Sequence, residues 1–104
     1  MSFVLERSSE AHFNPIDLGR MKVSIQASQF HYSSPRQTLP SSDDYKEFEV
    51  ALFLNGECFH PKMDDVFCQC DWSNHWSDSD NVAAGVPRAD IEQMLTDLRT
   101  AFSP

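Results

Sequence analysis

From Lys46 to His60, apolar and polar positions alternate on either side of Asn55-Gly56. A tight turn joining two such runs needs positive φ at both central residues, which Asn-Gly supplies, so the stretch predicts a β-hairpin. A two-residue turn sets the register: Leu54 opposite Glu57, Phe53 opposite Cys58, Leu52 opposite Phe59 and Ala51 opposite His60. One face then carries Phe48, Val50, Leu52, Leu54 and Phe59 and is core, while Glu47, Glu49, Ala51, Phe53, Cys58 and His60 fall on the other. That second face is too apolar around Ala51, Phe53 and Cys58 to stay bare, and a covering N-terminal arm or partner chain is expected there.

Upstream, Val23, Ile25 and Ala27 alternate with Lys22, Ser24, Gln26 and Ser28, which reads as a strand with its polar face toward solvent. Phe30 and Tyr32 change parity, so either a bulge near Ser28 or Gln29 returns them to the core face or the second half of the strand is buried on its other side. Asn14-Pro15 reads as a helix start and Gly19 as its stop, making residues 1–20 an N-terminal arm on a single α+β domain of residues 21–104. Residues 33–42 are dense in turn formers and predict a surface loop. Beyond the hairpin, Val66 to Trp72 reads as a short strand and Ser73 to Asn81 as polar loop. Val82 to Val86 is a last strand or an extended lead-in to Pro87, because the residue before proline is pushed toward extended geometry. Over residues 88–102, Ile91, Met94, Leu95, Leu98, Ala101 and Phe102 recur at three- and four-residue steps and predict an amphipathic helix. The expected fold is α+β: a small antiparallel sheet of three to five strands built on the central hairpin, with a C-terminal α-helix packed on one face.

At 104 residues and 40% hydrophobic, the chain can bury one core. The formal net charge is -8, and it resides in one stretch: residues 41–80 hold ten acids against Lys46 and Lys62, whereas the flanks balance. Such a balance disfavours a direct nucleic acid or anionic membrane partner and favours a basic protein. Three cysteines, an early charge in the first residues and no apolar run near the length of a membrane span point to a reducing, cytoplasmic setting.

Candidate chemistry is sparse. Cys58, His60, Cys68 and Cys70, with His75 nearby, have the donor types for a zinc site or a thiol nucleophile with an imidazole base. Their one-residue gaps hold ligands apart on a strand, free cysteines commonly pack as small hydrophobes, and no glycine-rich turn offers an oxyanion hole, so no cofactor and no catalytic residue is assigned. Asp71, Asp78, Asp80 and Asn81 are oxygen donors without the spacing of a calcium loop. Trp72 and Trp76 either pin their own loop or serve as contact residues. Lys22 to Arg36, and the run from Val82 into the last helix, resemble small proteins of phages and mobile elements. The expectation is an acidic, non-enzymatic, anti-CRISPR-like inhibitor that covers the basic surface of a nucleic-acid-binding partner through Asp43, Asp44, Glu47, Glu49, Asp64, Asp65, Trp72, Trp76, Asp78 and Asp80. The alternative is a zinc-binding or thiol-dependent domain using Cys58, His60, Cys68 and Cys70.

Overall fold

The computed structural model describes Leu5, residues 13–27 and residues 45–102. Strands β1 (Ile16–Leu18), β2 (Met21–Gln26), β3 (Glu47–Leu54), β4 (Glu57–Phe59) and β5 (Val82–Pro87) form one antiparallel sheet, and helix α1 (Arg88–Phe102) follows directly. This is the expected α+β architecture with β3 at its centre. Asn55 and Gly56 take φ of 53° and 85°, and Leu54–Glu57, Phe53–Cys58 and Leu52–Phe59 pair as the turn dictates.

The hairpin ladder stops one pair early. Ala51 pairs with Val82 rather than with His60, because Pro61 lacks an N–H and begins a 3-10 turn, and β5 takes over that edge of β3. On β5, Ala84 and Gly85 together lie opposite Glu49, a bulge that Gly85 accommodates at φ 62°. On its other edge β3 pairs along six residues with β2.

Cross-strand register brings Ile16, Leu18, Met21, Val23, Ile25, Phe48, Val50, Leu52, Ala83 and Val86 to one face. They share a single core cluster with Ile91, Met94, Leu95 and Leu98 of α1. Ala101 falls outside that buried stripe and is exposed, while Phe102 is half-buried. On the opposite face Ala51 and Phe53 are half-buried and Cys58 is exposed. Apart from Leu5 and residues 13–20, the arm expected to cover that face lies outside the described residues, as do the bulge near Ser28 and the loop of residues 33–42.

Three local readings are corrected. Asn14-Pro15 does not start a helix: Ile16–Leu18 is a strand that turns through Gly19-Arg20 into β2, and Leu5 and Phe13 lie in the core. Residues 66–72 are not a strand but parts of two 3-10 turns, since Asp64 takes the Val66 and Phe67 N–H groups that a ladder would use and the chain closes on itself through Cys70 and Ser73. Gln26 is not solvent-facing. Its carboxamide accepts the Phe13 N–H at 2.7 Å and donates to the Phe13 carbonyl at 2.9 Å. Continued past Ile16–Val23, the β1–β2 register sets Phe13 opposite Gln26, and the side-chain amide there substitutes for ladder bonds that Asn14-Pro15 interrupts.

Candidate functional site

Phe59 and Val82 lie opposite adjacent residues of β3, so residues 60–81 leave the sheet and return to nearly the same place. The excursion consists of 3-10 turns at Pro61–Met63, Phe67–Gln69 and Asp71–His75. His60 Nε2 lies 2.6 Å from the Ser77 carbonyl, which only accepts, so the ring carries its proton on Nε2 and leaves the buried Nδ1 without a partner among the described residues. Beside this tie, Lys62 Nζ meets Asp78 at 3.4 Å. Asp64 accepts the N–H groups of Val66 and Phe67 at 2.8 and 3.0 Å, and Asp80 accepts that of Val82 at 3.1 Å. These short aspartate loops fix the turns by satisfying their free donors.

An aromatic chain fastens the excursion to the body of the protein. Phe59, Phe67, Trp72 and Trp76 follow one another with centroids 6.0, 5.8 and 6.1 Å apart, and Phe67 stacks on Phe102 of α1. Trp72 and Trp76 are 2% and 0% exposed, with indole N–H groups donating to Asp97 Oδ2 at 2.8 Å and to the Asn81 carbonyl at 3.2 Å. They are therefore removed from the contact residues: both pin their own loop, because each finds a buried surface and a partner for its N–H. Their spacing alone is compatible with either role.

The sulfur and imidazole groups do not assemble into a donor set. Cys58 and Cys68 are exposed, on β4 and on a 3-10 turn respectively; Cys70 is half-buried; and His60 is held on Ser77. Among the described residues, no three His, Cys, Asp or Glu side chains come together to hold a cation, which covers Asp71, Asp78 and Asp80 as well. Burial, and next the neighbouring Asp97 carboxylate, push the Cys70 thiol above its ordinary range, opposite to what a nucleophile needs. Alkylation of the folded protein should therefore modify Cys58 and Cys68 readily and Cys70 slowly, with the Cys70 rate rising only at higher pH. Peptide mapping after a timed iodoacetamide pulse reads this, and three equal rates would contradict it. The same shift carries a stability sign: the folded state retains the Cys70 proton longer, so its contribution is complete below the ordinary thiol range and falls as pH rises through the folded pKa.

The carboxylates are placed in two ways. Asp65, Asp71, Asp78 and Asp80 are exposed on the excursion, and Asp64 is half-buried as a turn anchor. The excursion carries five acids against Lys62 alone. Glu47 and Glu49 are half-buried on β3, on the sheet face away from the helix, and are not gathered with the excursion acids; Asp43 and Asp44 lie outside the described residues. What sequence reasoning missed is the share of α1: Asp90 holds His75 at 2.6 Å, Asp97 holds Trp72 and Gln93, and with Asp71 these two line a groove of about 340 Å³ between helix and excursion. The one available signal was the spacing of Asp90, Gln93 and Asp97 along one flank of the helix.

No family model, curated protein or solved structure matches the chain at a significant level. No helix among the described residues is long and apolar enough to cross a membrane.

Proposed function

We propose that the protein is a small acidic binding module without chemistry of its own, an inhibitor that covers the basic surface of a nucleic-acid-binding partner. In this reading it is a cytoplasmic, phage-encoded, anti-CRISPR-like protein. The observation that carries it is the excursion of residues 60–81, where exposed Asp65, Asp71, Asp78 and Asp80 sit on turns bound to the core through Phe67, Trp72 and Trp76. Carboxylates on a fixed frame stand in for phosphates at lower ordering cost than a floppy acidic tail, and their field speeds encounter with a Lys/Arg groove.

The test uses positions that the fold does not need. Asp64 and Asp80 hold backbone N–H groups, so reversing them would confound binding with folding. Asp65 and Asp71 are exposed. In the double variant Asp65→Lys, Asp71→Lys, binding to a partner recovered by pull-down from the native host should weaken about tenfold or more, mostly in the association rate, with the melting temperature nearly unchanged. Nucleic acid should compete for the same partner surface, and added salt should weaken the complex. Binding that tolerates both the reversals and high salt would eliminate the mimicry reading.

A further inference from the structure

At the C-terminal end of α1 the acidic groove runs into an apolar one of about 300 Å³, and Cys70 and Asp97 line both. The apolar end is walled by Val66 and Phe67 from the excursion and by Ala101 from the helix. Val66 is 66% exposed, and Met63, on the preceding turn, is 63% exposed; these are the large hydrophobic side chains left in solvent among the described residues. Folding does not explain Val66. Asp64 binds its backbone N–H, an interaction any residue would make, and its side chain points to water.

Charge indicates what would lie there. Asp71, Asp90 and Asp97 line the acidic part, and among the described residues no lysine or arginine lines either groove. Lys62 pairs with Asp78, Arg20 lies over the Phe102 ring at 5.7 Å, and of the three groove acids Asp90 already holds the His75 imidazole at 2.6 Å. Asp97 is a half-buried carboxylate held by Trp72 and Gln93, both neutral donors, so a cation brought to it would meet a carboxylate that these bonds hold in place. From Asp90 through Gln93 and Asp97 to Ala101 the wall is one flank of α1, about 16 Å long at the rise of a helix.

We infer that this double groove receives a basic amphipathic helix of the partner protein, with an apolar anchor between Val66 and Ala101 and lysine or arginine side chains against Asp71, Asp90 and Asp97. The inference rests on the reading of a basic partner and adds the form of its docking segment. A helix suits the site because an anchor and a cation one or two turns away along one face match an apolar end and an acidic end along a straight wall.

The experiment titrates the isotope-labelled full chain with a synthetic leucine/lysine amphipathic peptide of about four turns. Its control is a lysine peptide of equal charge without leucine. The amphipathic peptide should shift the amide resonances of Val66, Cys70 and Ala101 and the Trp72 indole N–H, and Val66→Glu should weaken it about tenfold without lowering the melting temperature. Equal binding of both peptides with no response to Val66→Glu would overturn the apolar anchor while leaving the acidic inhibitor standing. Shifts centred on Phe53 and Cys58, on the opposite sheet face, would also overturn it. Failure of both peptides to bind would remove the docking site alone, because the basic-partner reading stands or falls separately with the Asp65→Lys, Asp71→Lys variant, and Asp65, Asp78 and Asp80 do not line the groove.

Discussion

Replacing Trp76 with alanine is expected to lower stability by about 3–5 kcal/mol, a large part of the total of a domain this size. Its side chain is fully buried, packs edge-on against Trp72 and donates its indole N–H to the Asn81 carbonyl. The substitution leaves a cavity at the point where the excursion of residues 60–81 rejoins β5. Urea unfolding followed by far-ultraviolet circular dichroism gives the loss, and Trp76→Phe should recover much of it by refilling the volume. A Trp76→Ala protein as stable as the parent would return this indole to the list of contact residues and undo the view of the excursion as a fixed frame. The loss should also reach the site, since a loosened excursion frees Cys70 from α1 and accelerates its alkylation.

Gln26→Ala is the second large effect, at roughly 2–4 kcal/mol, because the Phe13 N–H and carbonyl both lose partners in a buried place. Gln26 is 9% exposed, and Phe13, the residue it clamps, is 2% exposed. Gln26→Glu discriminates the mechanism from simple volume loss. At neutral pH its carboxylate accepts the Phe13 N–H but has nothing to donate to the carbonyl, and it faces Glu49 across the ladder. Protonation in the ordinary carboxylate range, or above it, restores the donor, so the deficit of the glutamate variant relative to the parent should shrink as pH falls through that range. A deficit independent of pH would mean that Gln26 acts by packing and not by its two hydrogen bonds.

The central hairpin, its register and the helix over residues 88–102 were set by local rules: an Asn-Gly turn, alternation of period two and a stripe of period 3.6. Those rules hold wherever one face is buried and one is wet, and they produced the core face of Phe48, Val50 and Leu52 without error. They failed where a residue's role depends on a distant partner. Gln26 looked solvated because its partner is Phe13, whose place opposite it depends on how β1 pairs. Residues 66–72 looked like a strand because apolar spacing in so short a run does not distinguish a sheet edge from 3-10 turns packed on a helix. Trp72 and Trp76 were ambiguous for the same reason, and only the meeting of the excursion with α1 assigned them to the core. The acidity of residues 41–80 is a property of composition and was legible at once. Tertiary structure alone decided how its carboxylates are used: Asp64 and Asp80 as turn anchors, Asp78 on Lys62, and Asp71 in a groove with two helix acids that charge counting had left in a balanced flank. Which side chains converge depends on the path between them, and spacing along a chain carries no record of that path once it turns back on itself.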